Sequence, residues 1–385
     1  MRQVYLDNSA TTAVLPEVAA EMQKVLLDAY GNPSSLHTMG VEAERIKNAA
    51  RRILAEACGG REEELIFTSG GTEANNLAVK GVARRLKRRG RHLITTQVEH
   101  PSVLYACRAL EEEGFSVTYL PVDGTGRVRL DALEEALQED TLLVSVMHVN
   151  NETGTVMPVA EIGRLVKEKA PEALFHVDAV QSFGKLPVSA GDWQADLITI
   201  SAHKIHGPKG CGALWRRAGV PLAPLFHGGD QEAGLRPGTE NMAGIAGFAA
   251  AARLALAEQS KRAAGLARLK EFFLRAVFAA IPDITVNSPK EAAPHIVSIT
   301  FPGVKGEVLV HELTRWGIYV STGSACHSRR ADPSHVLLAM GRTPKEIEAT
   351  LRFSFSPLNT EAELEYTVEK LQQAVAHLRR LTRRK

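Results

Sequence analysis

The sequence predicts an α/β protein, a mainly parallel sheet covered by helices and followed by a smaller α+β unit. Three observations carry that reading. From about residue 16 to 257, short β-branched runs alternate with stretches of helical periodicity. The chemically dense, polar stretches fall at the ends of those runs, and beyond about residue 280 the alternation gives way to a different order of elements. At 385 residues, 44% hydrophobic and 23% charged, the chain is long enough for two cores.

In chain order the runs are ELIFTS, RHLITT, SVTYLPV, LLVSVMHV, LFHVDAV and DLITIS, with helical segments such as PSVLYACRALEEEG between them. Alternation of this kind puts the strands side by side and parallel, with helices on both faces. One long Ala- and Arg-rich helix is expected near residues 242–280. HIVSITF, GIYVST and TLRFSFS then read as strands of the smaller unit.

Composition removes several function classes. The start, MRQVYLDNSATT, lacks an apolar targeting core, and no run of about 18 uncharged apolar residues occurs. A cytoplasmic protein without a membrane partner is expected. Cys58, Cys107, Cys211 and Cys326 are far apart with no C-x-x-C pair, so neither a disulfide framework nor a local zinc site is encoded. A formal charge of +2 does not argue for nucleic acid, and the basic clusters at 84–91 and 378–385 read as solvated helix ends.

Ligands of such sheets gather at the carboxyl ends of the strands. TSGGTEANN, VEHPS, HVNNETG, DAVQS and SAHKIHGPKG sit at five of those ends and are expected to meet in one pocket. TSGGTEANN leads glycines and Thr72 into a helix, where backbone N–H groups hold a phosphate, although such a turn is also found as a plain turn. Asp178 and Gln181 of HVDAVQS are three apart and share a helix side; a buried carboxylate there needs a cation such as a protonated pyridine nitrogen, and an N-cap aspartate is the alternative. Lys204 follows an apolar strand, where burial lowers a lysine's pKa and allows imine formation; the alternative is a lysine reaching solvent. His203 and His206 have metal-like spacing but no third ligand near in sequence. Cys326 lies among small polar residues, and His327, Arg329 and Arg330 after it favour a thiolate; a loop cysteine without a role is the alternative.

LDNSATT, TSGGTEANN, EHPSVL, MHVNNETG, HVDAVQS, SAHKIHGPKG, RPGTEN, STGSAC and LRFS, in this order and spacing, resemble the cysteine desulfurases of the IscS/NifS type. These are pyridoxal 5'-phosphate (PLP) enzymes of the aminotransferase class V superfamily. The resemblance covers nearly the whole chain. It implies PLP fold type I, with a seven-stranded sheet in a large domain over residues 15–257 and a small domain built from 1–14 and 258–385. The cysteine loop would span about 321–333.

The resemblance also implies residue roles. Lys204 would bind PLP covalently, Asp178 would pair with the pyridine nitrogen, and Gln181 would donate to the ring hydroxyl. His100 would stack on the ring and move protons. Gly71, Thr72, Ser201 and His203 would form the phosphate site, completed by Thr239 of a second subunit in a homodimer. Asn151 would lie near ring and substrate, Arg352 would clamp the substrate carboxylate, and Cys326 would take sulfur from L-cysteine as a persulfide, leaving L-alanine. No resident metal is implied, beyond an iron–sulfur cluster that Cys326 shares with a partner. The sulfur acceptor would be an iron–sulfur scaffold or a thiolation enzyme. The tail HLRRLTRRK departs from the family's scaffold-binding extension, which leaves the acceptor open. Selenocysteine lyase, another class V PLP enzyme and a non-catalytic metal or iron–sulfur scaffold are the competing readings.

Overall fold

The computed structural model describes residues 2–323 and 333–382, so Cys326 lies outside the described residues. Among those residues the strands, in chain order, are β1 Val4–Tyr5, β2 Leu65–Thr68, β3 His92–Thr96, β4 Ser116–Leu120, β5 Thr141–Met147, β6 Leu174–Asp178, β7 Leu197–Ser201, β8 Gly212–Arg216, β9 Thr285–Val286, β10 Ile296–Thr300, β11 Ile318–Tyr319 and β12 Thr350–Ser354. The helices are α1 Pro16–Leu27, α2 Thr38–Glu56, α3 Gly71–Leu86, α4 Pro101–Glu112, α5 Leu130–Ala136, α6 Val159–Lys169, α7 Ala190–Trp193, α8 Met242–Ala257, α9 Gln259–Ala280, α10 Gly306–Arg315, α11 His335–Ala339, α12 Pro344–Glu348 and α13 Glu361–Thr382. No helix among them is long and apolar enough to cross a membrane.

The main sheet has seven strands in the order β2-β8-β7-β6-β5-β3-β4. The strand pairs are parallel except around β8, which is antiparallel to both β2 and β7. All six apolar runs named above are in this sheet, and GALWR supplies the seventh strand. Successive side chains of a strand point to opposite faces, and both faces are apolar here. Phe67, Ile94, Val144, Phe175 and Ile198 enter one core, while Ile66, Leu93, Leu143, Leu174 and Leu197 enter another. With both faces covered, the strand ends are where polar side chains gather.

A separate apolar core lies against the three-stranded sheet β12-β10-β9 and includes Val4, Phe273 of α9, Phe353 and Leu371 of α13. Two expectations change in this region. The long helix near 242–280 is two helices, broken at Glu258, whose φ of −130° and ψ of 31° are not helical. GIYVST contributes only the two residues of β11, which pair in parallel with β1, and it reaches β12 through an isolated antiparallel bridge between Ser321 and Arg352. Pairing with a strand more than 300 residues away in sequence leaves no local pattern to read.

Candidate active site

Five strand ends of the main sheet open onto one cavity of about 330 Å³. Gly71 and Thr72 reach it after β2, His100 after β3, Asn151 after β5, Asp178 and Gln181 after β6, and His203 and Lys204 after β7. Arg352 of β12 closes it from the small core's side. Ser201 sits behind this wall, fully buried, and Thr239 is exposed and does not line the cavity of its own chain.

At one end of the cavity α3 starts without a side-chain cap, so its N-terminus is available to an anion. Gly70 has φ +152°, which favours glycine, and a Cβ on Gly71 would come within 2.9 Å of Val180 Cγ2. The two glycines therefore allow the helix to start this close to β6. The buried Ser201 Oγ has no partner among the described residues. Burial, with help from the Lys204 charge, pushes His203 down to about 3, so its imidazole is neutral, and its Nδ1 lies 3.2 Å from Thr11 Oγ1.

On the cavity wall Asp178 Oδ1 accepts from Val180 N (2.9 Å) and Oδ2 from Asn75 Nδ2 (2.7 Å). No lysine, arginine or histidine lies within ion-pair distance among the described residues. Burial pushes the Asp178 carboxyl up from the ordinary aspartate value, against its two hydrogen bonds and the Lys204 charge. A buried carboxylate held this way is completed by a cation placed in the cavity. Gln181 donates from Nε2 to Ser9 O (3.0 Å), which leaves its buried Oε1 without a partner. Lys204 Nζ donates to Ser9 O and to Ala10 O (2.8 Å). His100 Nδ1 accepts from Ser102 N (3.2 Å), which selects the tautomer with the ring proton on Nε2.

Several contributors lie within or near the named motifs, where sequence reading assigned them no role. Asn75 joins Asp178 to Ser102, whose Oγ lies 2.8 Å from Asn75 Nδ2 and 2.8 Å from His100 Nδ1. A buried asparagine on a helix that otherwise buries apolar residues is the signal that marks it. Asp7, Ser9 and Ala10 belong to LDNSATT, and their part is played through long-range contacts. Glu99 is fully buried; burial pushes its carboxyl up to about 8, opposed by hydrogen bonds from Thr96 and Met147. His335 donates from Nε2 to Glu99 O (2.9 Å), and Glu152 accepts from Ser334 Oγ (2.6 Å).

An open helix N-terminus for a phosphate, a buried carboxylate for a pyridinium and a lysine on one cavity define a cradle for PLP. The orphaned Ser201 Oγ and Gln181 Oε1 fit the polar atoms of that cofactor. Residues 4–367 match the aminotransferase class-V family, and the chain belongs to that family, whose enzymes use PLP. It is 44% identical over 382 residues to a cysteine desulfurase IscS of Dictyoglomus turgidum, covering 99% of this chain and 96% of that one. It is 45% identical to cysteine desulfurase 1 of Trichormus variabilis, covering 99% and 95%. Among solved structures, a NifS-like protein superposes with a TM-score of 0.92 at 41% identity, covering 98% of this chain and 100% of that one. SspA in complex with cysteine superposes at 0.83 and 35% identity, covering 93% and 100%.

Proposed function

We propose that the protein is a PLP-dependent cysteine desulfurase, which removes sulfur from L-cysteine, releases L-alanine and retains the sulfur as a persulfide on Cys326. The observation that carries this is the shared cavity of Lys204, Asp178 and Arg352. It combines a lysine for the cofactor with a guanidinium for an α-carboxylate, the two ends of an amino-acid site. Lys204 would anchor the cofactor, Asp178 would stabilise a positive ring nitrogen, and Gln181 would hold the ring hydroxyl. Gly71, Thr72, Ser201 and His203 hold the phosphate. Bound PLP supplies the electron sink for charge leaving the substrate's α-carbon. His100 would hold and move a proton at Nε2, while Asn151 and Arg352 would orient the substrate.

Cys326 would take the sulfur as its thiolate: a new S–S bond forms as the substrate's Cβ–S bond breaks, and the bonding pair stays with the carbon. The sulfurs are thereby oxidised to the persulfide level and Cβ is reduced, and the fragment takes up a proton and leaves as L-alanine. The other three cysteines are poor candidates. Cys58, Cys107 and Cys211 are buried, which pushes each thiol up to about 12.

The same reading divides the chain into a large domain, 15–257, and a small domain from 1–14 and 258–385, in line with the separate core around Phe273 and Phe353. It also makes the enzyme a cytoplasmic homodimer in which Thr239 reaches the partner's phosphate site. Exposure of Thr239 supports this, as do the exposed Leu26, Leu27, Tyr30 and Leu36 at the end of α1 and before α2. Sedimentation of the purified protein checks the dimer. The persulfide would pass to an acceptor protein serving iron–sulfur cluster assembly or thiolation.

The test is incubation with L-cysteine, reading alanine and protein-bound sulfur. Lys204→Ala should lose borohydride-trapped PLP and all turnover; Cys326→Ala should keep PLP and lose turnover. Persulfide on Cys58, Cys107 or Cys211 with Cys326 unmodified, or full turnover by Cys326→Ala, would overturn the assignment.

A further inference from the structure

A guanidinium has five N–H donors in a fixed fork, and contacts account for three of those on Arg352. Nη1 donates to Asn151 O (2.8 Å) and to Gly323 O (3.0 Å), and Nη2 donates to Asp7 Oδ1 (2.7 Å). Nε is buried without a partner among the described residues, and the second Nη2 hydrogen remains. Nε–H and the adjacent Nη2–H are the side-on edge of the fork, two parallel donors that match the two oxygens of one carboxylate. Arg352 is only 2% exposed yet lines the cavity, so the unused donors are withheld from bulk water.

Asp7 opens a turn that also reaches the cofactor lysine. Its carbonyl accepts from Ala10 N (3.0 Å), while Ser9 O and Ala10 O accept from Lys204 Nζ. Ser9 N donates to Ser354 Oγ (2.8 Å), two residues beyond Arg352 on β12. Residues 7–10 thus bridge the lysine and the guanidinium, the groups that would receive the two ends of an α-amino acid.

We propose that Asp7 is a positioning residue for substrate selection. It engages one side of the Arg352 guanidinium and so leaves the Nε/Nη2 edge as the face that the substrate's α-carboxylate meets. This rests on the reading that Arg352 binds that carboxylate. The opposite expectation is that Asp7, itself anionic, repels an incoming carboxylate, and the two differ in sign.

The experiment uses PLP-loaded enzyme and 3-mercaptopropionate, which has the thiol and carboxylate of cysteine but no amine to react with the cofactor. Calorimetry should show Asp7→Asn, which keeps an acceptor but loses its charge, weakening its binding about 10-fold, the size expected when a charge-assisted hydrogen bond becomes a neutral one. KM for L-cysteine should rise by a similar factor, with kcat and PLP content nearly unchanged. Equal or tighter binding by Asp7→Asn would overturn the proposal. A crystal structure of the wild-type enzyme with 3-mercaptopropionate is the second measurement. It should show the carboxylate on Nε and Nη2 with Asp7 still in contact, and a carboxylate that displaces Asp7 would equally overturn it. Arg352→Ala separates the two levels: if it too binds the probe normally, the carboxylate-site reading itself is wrong, whereas a defect in Arg352→Ala alone rejects only the role of Asp7.

Discussion

The strand ends of the seven-stranded sheet and the core beside the three-stranded sheet bury residues to opposite ends. Around the cavity, Ser9 Oγ, Asn75 Oδ1, Gln181 Oε1, Ser201 Oγ and Arg352 Nε are buried without partners among the described residues. In the other core, Phe273 packs against Phe353 (tilted) and Phe355 (edge-on) with ring centroids 4.8 and 5.5 Å apart. A buried polar atom left unpaired costs about 1–3 kcal/mol, whereas a buried ring stabilises by the apolar area it removes from water. β12 belongs to both regions. Arg352 points to the cavity and Phe353 to the core, so one step of strand alternation separates ligand binding from packing. The difference teaches that the packing rule is broken at the candidate site, where a bound ligand would complete the unpaired groups.

The largest effect that tests this contrast is on Asp178. Asp178→Asn keeps the shape and loses the charge, so kcat of the PLP-loaded variant should fall on the order of 10³-fold, as when one partner of a buried ion pair is removed. A kcat close to wild type would show that the cavity needs no anion there. Phe273→Ala should act the other way, on stability alone. Denaturant unfolding should show a loss of about 3–5 kcal/mol, with PLP content unchanged in the folded fraction. A variant that remains as stable as wild type would mean this core does not hold the fold.

A smaller effect concerns Glu99, a buried carboxyl on the cavity side that is held neutral. Its carboxyl is raised from 4.5 to about 8, chiefly by burial. Between those values the folded protein holds a proton that the unfolded chain has released, so this group's contribution to stability is full below about pH 4.5 and is lost as pH rises through 8. Glu99→Gln mimics the neutral acid and removes that dependence. Its unfolding free energy relative to wild type should climb from pH 5 to 8, by roughly 2–4 kcal/mol, and level off above. A flat difference across that range would show that Glu99 is ionised in the folded protein.

Much of the site was legible because its determinants are local. A strand ending in polar, glycine-rich residues is visible in a window of ten residues, and VEHPS, DAVQS and SAHK each carry their functional side chain within such a window. The break at Glu258 was not legible, since the residues on both sides of it favour helix. Asn75 lay inside a motif already noted, yet its bond to Asp178 spans two strand ends that sequence spacing does not relate.

By itself, then, the sequence determined the alternation of strands and helices, the polar strand ends and the candidacy of Lys204, Asp178 and Gln181, because periodicity and side-chain chemistry are properties of short stretches, whereas Arg352 entered through the family resemblance. Only the tertiary structure decided that Ser9 and Ala10 offer their carbonyls to Lys204, that Asp7 meets Arg352, and that β1 pairs with β11. Backbone carbonyls are the same in every residue and leave no mark in a sequence. Their roles are assigned when packing brings the first residues of the chain against its last strand.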